Sequence, residues 1–201
     1  LLNKIKIEEN DSYTNSVSVL SVTSPTYDWD FRSSTTPSTI TDNITGSQYA
    51  SLLNGVTLNT TNGAYFSGGD HTTAPYIDIQ DFTLSSTLSF EFYVRFDDNT
   101  YSGRVFDFGQ GAANNNIIVA RHGSETQFQF HTSSVGSIRF NPIVNGQFHH
   151  VIVTISSTQA KYYVDGNSGI IVTHSNIAPL ATRQNLWLAR PAWPQNSFKG
   201  Y

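Results

Sequence analysis

Asp107-Phe108-Gly109, inside RVFDFGQGAANNNIIVARHG (Arg104 to Gly123), is the triplet with which a protein kinase holds magnesium against ATP phosphates. That chemistry also needs a glycine-rich loop, a strand lysine and a catalytic-loop Asp and Asn. No stretch here resembles H-R-D-x-x-x-x-N or V-A-I-K, and no G-x-G-x-x-G precedes Asp107. The flanks give a simpler reading. Val105, Phe106 and Phe108 form a short apolar run, Gly109 to Asn116 are turn formers, and Ile117-Ile118-Val119 resumes with β-branched residues. This predicts two strands joined by a loop.

The surface that must surround such strands is neutral and polar. Charged residues make up 13% of the 201, about half the roughly 25% of ordinary globular chains. Ser, Thr and Asn carry the polarity instead, which suits sugar or protein partners. The net charge is -4 and no basic cluster exceeds Lys4-Ile5-Lys6, so the electrostatic footprint of a nucleic-acid binder is missing. With no cysteine, stability must come from the core. No apolar run approaches the roughly 20 residues of a membrane helix, and the N-terminus lacks the long apolar segment of a signal peptide. A chain opening on Leu1, without a single Met, reads as a piece of something longer.

Residues 1–25 read as an N-terminal tail or linker with a possible short strand at Ser16 to Val22, ended by Ser24-Pro25-Thr26. From residue 26 to 201 short period-two runs recur, and none keeps an apolar helical face for ten residues, which predicts an all-β domain, a two-sheet antiparallel sandwich. The strongest strands are Ala64 to Phe66, Tyr76 to Ile79, Leu88 to Phe96, Arg104 to Phe108, Ile117 to Arg121, Gln127 to His131, His149 to Ser156, Lys161 to Val164, Gly169 to Thr173 and Asn185 to Leu188. Alternation in LSFEFYVRF puts Leu88, Phe90, Phe92, Val94 and Phe96 on the core face. Val151, Val153 and Trp187 are also expected to be largely buried. Asp165-Gly166 between two apolar runs predicts a type I′ hairpin, whose loop Asn167-Ser168 would lengthen if those residues stay unpaired.

Several of these segments, in this order, resemble the laminin-G-like domains of the concanavalin A-like lectin/glucanase superfamily. Gln147-Phe148-His149-His150-Val151-Ile152-Val153-Thr154 followed by Tyr163-Val164-Asp165-Gly166 is similar to the W-(H/Y)-H-V-A-V-T and Y-V-D-G pair. Ala64 to Gly69, Tyr76 to Ile79, Leu88 to Val94, Arg104 to Gly123 and Leu186 to Tyr201 resemble further family segments. Phe148 stands where the family usually has Trp, and the chain stops at Phe198-Lys199-Gly200-Tyr201, before the family's final strand. The resemblance implies a jelly-roll sandwich over 26–201, lacking its last strand.

That superfamily holds both enzymes and binding modules, so the residues must decide. A retaining glycosidase needs two carboxylates about 5 Å apart, which this scaffold presents as E-x-D-x-E or E-x-D-x-x-E. The four glutamates, Glu8, Glu9, Glu91 and Glu125, build neither, and Glu91 is expected to be held by a neighbouring Arg or Lys. A uronate lyase would draw on Arg121-His122, Gln127 to His131 and Lys161-Tyr162-Tyr163, but the R-x-E-x-R strand is absent. Sugar binding asks only for flat aromatics, amides and hydroxyls. Trp193, Arg121, His122, Tyr101, Asn114, Asn115 and Asn116 are the candidates. Trp193 is read as a loop aromatic, Trp187 as core or site, and Arg121 as ligand contact or as partner of Asp107. Calcium is a further possibility that the resemblance raises, with Asp70, Asp97 and Asp98 as the oxygen donors, and Asp78 beside them. The expected function is a non-catalytic carbohydrate-binding or adhesion module of a larger extracellular, cell-surface or virion-surface protein. A glycan or glycoprotein surface and other domains of the parent chain would be its partners. The alternative is a structural or protein-interaction domain without a sugar site, and a polysaccharide-active enzyme stands behind both.

Overall fold

The computed structural model describes residues 4–8, 25–80, 82–84, 87–99, 101–122, 125–131, 135–156, 158–173 and 181–201. In chain order the strands are β1 (Lys4–Glu8), β2 (Tyr27–Asp30), β3 (Thr39–Thr41), β4 (Tyr49–Leu53), β5 (Thr57–Asn59), β6 (Gly63–Asp70) and β7 (Tyr76–Ile79). Then come β8 (Phe82–Leu84), β9 (Leu88–Arg95), β10 (Arg104–Gly109), β11 (Asn116–His122), β12 (Glu125–His131) and β13 (Val135–Pro142). The last are β14 (Phe148–Ile155), β15 (Gln159–Val164), β16 (Asn167–Thr173), β17 (Ala181–Arg183), β18 (Asn185–Leu188) and β19 (Asn196–Gly200). Among the described residues there is no helix.

Two antiparallel sheets form the sandwich. One runs β16-β15-β14-β9-β1-β2 and the other β13-β12-β11-β10-β18-β7-β4-β3, with β17-β8 and β19-β6-β5 as smaller additions. Period-two alternation drives the packing, because each strand turns every second side chain inward. Phe90 and Phe92 of the first sheet meet Phe106 of the second, with ring centroids 4.9 and 5.7 Å apart, and Phe90 lies 5.6 Å from Phe108. Leu88, Val94, Val151, Val153, Leu186, Leu188, Ile77, Ile79 and Trp29 complete the same core. Phe90, Phe92, Val151 and Val153 are fully buried, as their alternation requires.

Trp187 is not. It alternates with buried Leu186 and Leu188 and points to the outer face, half-buried. The apolar look of N-L-W-L hides a strand with one wet side. The Asp165-Gly166 turn has positive φ at both residues, 51° and 77°, and Val164 pairs directly with Asn167, so the loop is the two-residue form and Asn167-Ser168 belong to β16. The predicted strand at Ser16 to Val22 lies outside the described residues. The N-terminal segment contributes β1, which pairs with β2 on one side and β9 on the other. At the other end of the chain Tyr201 exchanges both backbone hydrogen bonds with Arg95, at 2.8 and 3.0 Å. Gly200 precedes it with φ 143°, and a Cβ there would collide with the Arg95 carbonyl.

Candidate functional site

The antiparallel register decides which candidates meet. β10 starts at Arg104 where β11 ends, with Arg104 opposite Ala120, and β18 ends beside the same region, with Leu188 opposite Phe106. The segments carrying Tyr101, His122 and Trp193 therefore gather at one end of the eight-stranded sheet. Asn114, Asn115 and Asn116 lie at the other end of β10, roughly 20 Å away at about 3.3 Å per residue.

At the first end Tyr101 is 62% exposed. Its hydroxyl lies 2.8 Å from His122 Nε2, and the two rings are tilted with centroids 4.5 Å apart. Arg104 links this pair to the next aromatic. Its Nη1 donates to Ser102 O at 3.0 Å, its Nη2 to Gln195 Oε1 at 2.9 Å, and its guanidinium carbon sits 5.3 Å from the Trp193 ring centroid. Burial pushes the Arg104 pKa down, against the nearby Asp107 and Tyr101, which raise it. Trp193 is half-buried rather than fully exposed on its loop, since one face is given to Arg104. The result is a rim of Tyr101, His122, Trp193 and Gln195 around a buried cation.

Asp107 anchors this rim. It is fully buried, accepts from Asn116 Nδ2 at 2.7 Å and from the Ala192 amide at 2.8 Å, and lies 3.8 Å from Arg104 Nε. Its pKa is raised, by burial above all. The Ala192 bond pins the loop that carries Trp193. Gly109 is required because the Asn116 side chain crosses it to reach Asp107, and any Cβ there would overlap the Asn116 amide. The D-F-G triplet is thus an anchor, a core phenylalanine and a clearance.

Other candidates have structural work. Arg121 does not pair with Asp107. It is 2% exposed, and its guanidinium donates to Ile143 O at 3.1 Å, Asn99 Oδ1 at 2.9 Å and Asn145 Oδ1 at 2.6 Å, with its carbon 4.8 Å over Phe96. It clamps two loops and presents nothing outward. Asn116 is fully buried on Asp107. Asn114 and Asn115 hold their own loop, Asn114 through an amide bond to Asn116 Oδ1 at 2.8 Å and Asn115 through Gln110 Oε1 at 2.8 Å.

Glu91 pairs with His150 Nε2 at 3.0 Å on the outer face of the six-stranded sheet. Tyr93 stacks on the same His150, centroids 4.5 Å apart. The residue types a lyase would use are divided between the sheets, Arg121, His122 and β12 in one, Lys161 and Tyr163 in the other. Of the calcium candidates, Asp70 accepts from Thr72 N and Oγ1 at 2.9 and 2.5 Å within its own turn, and Asp97 is paired with Arg95 at 2.8 Å. Among the described residues no three His, Asp or Glu side chains gather as a metal site.

One cluster has no counterpart among the sequence motifs. Arg190 lies over both Tyr76 and Trp187, 4.4 Å from each ring centroid, and the two rings meet edge to face at 6.2 Å. The only signal is Leu-Trp-Leu, which as a strand must turn Trp187 outward beside whatever β7 places there.

A family model of the concanavalin A-like lectin/glucanases superfamily, of laminin-G type, matches residues 66–201, and the chain belongs to this family. No curated protein matches it in sequence. Among solved structures, botulinum neurotoxin type C, whose cell entry depends on interaction with two ganglioside molecules, superposes with a TM-score of 0.63 at 13% identity, over 86% of this chain and 43% of that one. The binding domain of botulinum neurotoxin DC in complex with rat synaptotagmin II gives 0.62 at 12% identity, over 83% and 45%. Domains LG4-5 of the mouse laminin alpha1 chain give 0.47 at 16% identity, over 56% and 32%. The chain spans less than half the length of each of these structures. These likenesses are of fold. Strands β2 to β5, before the matched region, build into the same sheets as the rest.

Proposed function

We propose that the domain is a non-catalytic carbohydrate-binding module of a larger extracellular, cell-surface or virion-surface protein, and that it holds a glycan at the Tyr101, His122 and Trp193 rim. One observation carries this reading: an exposed tyrosine and a half-buried tryptophan, with an imidazole and an amide between them, are fixed at one end of the sheet by buried Arg104 and Asp107. Flat rings stack on the apolar face of a pyranose, while Gln195, His122 and the Tyr101 hydroxyl match its OH groups. The family, and solved structures of like fold that are binding domains, support a binding role. The sequence carries neither the E-x-D-x-E nor the E-x-D-x-x-E pattern with which this scaffold presents a glycosidase's carboxylate pair, which supports the non-catalytic reading.

A glycan panel tested by calorimetry checks the reading. Binding with a dissociation constant in the micromolar to millimolar range, about -4 to -8 kcal/mol, is expected, since a shallow rim engages one or two sugars. Released sugar, or no binding to any glycan, contradicts it.

A further inference from the structure

We propose that Arg190, Tyr76 and Trp187 form a second, independent site that takes the carboxylate of an acidic sugar, with Arg190 as the carboxylate receptor and the Trp187 edge beside the sugar ring. The first ground is an unmet cation. Arg190 has no ion pair and no hydrogen bond among the described residues, and its Nε is buried without a partner. Burying a guanidinium N–H without an acceptor is costly, and native structures rarely leave one so. Arg104 and Arg121 also bury an unpartnered Nε, but their Nη groups reach acceptors, Ser102 O and Gln195 for Arg104 and three oxygens for Arg121. Arg183 donates to Asn115 O at 2.9 Å. What sets half-buried Arg190 apart is a guanidinium with no acceptor on any nitrogen among the described residues.

The second ground is preorganisation. Two rings 4.4 Å from one guanidinium carbon hold it flat by cation–π attraction, which fixes the plane of its donors before a ligand arrives. A planar fork with donors in one plane is the geometry that accepts a carboxylate through two parallel bonds.

The third ground is the backbone that delivers it. Ala189, fully buried, adopts φ 69°, a left-handed conformation that a non-glycine residue holds only where its surroundings enforce it. Its amide bonds Val105 O at 2.9 Å and its carbonyl accepts from Phe198 N at 3.1 Å. That bend ends β18 and turns the following residue back over Trp187. Pro191 then restricts Arg190 to extended geometry. Three successive constraints place one arginine against two rings.

Uronic and sialic acids share this chemistry, a ring carrying one carboxylate, and the test separates them. Glucuronic acid and N-acetylneuraminic acid are each titrated against their methyl esters, following the Arg190 side-chain Nε–H resonance together with the affinity. In wild type at least one acid should bind about tenfold or more tightly than its ester, as charge-assisted bidentate pairing requires, and the acid that does so identifies the source. Arg190→Gln should bring that acid down to its ester, and Arg190→Lys should recover only part, because an ammonium lacks the fork. Melting curves identify any variant that has lost its fold, and Trp187→Phe, which keeps a ring, then serves as the second probe and should weaken the acid without abolishing it. Equal binding of acid and ester, a preference that survives Arg190→Gln, or no response to either acid overturns the proposal. Neutral-glycan binding at the Trp193 rim, measured on the same variants, should be unchanged by Arg190→Gln. Its absence would overturn the rim reading alone, since the acid-against-ester comparison does not depend on it.

Discussion

At the level of single residues the structure turns on Asp107. Its two carboxylate oxygens are divided between the Asn116 side chain and the Ala192 amide, so one residue ties the far loop of β10 and β11 to the segment bearing Trp193. Asp107→Ala would leave those donors buried without this acceptor and take the carboxylate away from Arg104 Nε, which lies 3.8 Å from it. A loss of about 3 to 5 kcal/mol is expected in denaturant titration, the range for breaking a buried charged pair, and a loss below about 1 kcal/mol would contradict the anchor. Trp193→Ala should act differently. It forfeits the cation–π contact with Arg104, worth about 0.5 to 1 kcal/mol of stability, yet should remove most glycan binding. The residue types at this site are legible in the sequence, but their roles are not. Trp193, Tyr101 and His122 stand among candidates that also include Arg121 and Asn116, and only the register, which joins residues some 90 positions apart, separates the rim from the clamps. Arg190 carries no signal, because a stacked arginine depends on two rings brought together by strand pairing.

At the level of elements, the alternation of β9 and β14 is readable from the residue pattern, and the core follows from it. Phe92→Ala should cost about 3 to 5 kcal/mol, since Phe92 is fully buried against Phe106 and cannot be replaced by collapse of two hydrogen-bonded sheets. Strands β3, β5 and β13 do not stand out in the sequence, being short, hydroxyl-rich or interrupted by glycine, so that pairing partners rather than propensity hold them. The turn after β3 offers a pH test. Burial pushes the Asp42 carboxyl up, but hydrogen bonds from Thr45 N and Oγ1, Gln48 N and Ile44 N outweigh it and hold the pKa below its usual 3.8. A depressed folded value means that Asp42 adds stability above about pH 3.8, and that this contribution is lost as the pH falls through the folded pKa. The stability gap between wild type and Asp42→Asn, of order 1 kcal/mol, should therefore be full near pH 6 and close toward pH 2 in denaturant titrations. A gap that widens on acidification would contradict the sign.

For the molecule as a whole, the order and spacing of the strand segments are enough to point to the laminin-G-like sandwich, and the family match over 66–201 agrees. The family leaves function open, because enzymes and binding modules share the sandwich, and the decision falls to the rim at one end of the eight-stranded sheet. The most direct test is a residue-resolved NMR titration of the labelled domain with the glycan that binds best in calorimetry. Shifts concentrated on the Trp193 indole, the His122 ring and the Tyr101 amide, with Asn114 and Asn115 at the far end of β10 unmoved and no sugar released, are the expected result. Shifts centred elsewhere with the rim silent, or turnover of the glycan during the titration, would contradict it.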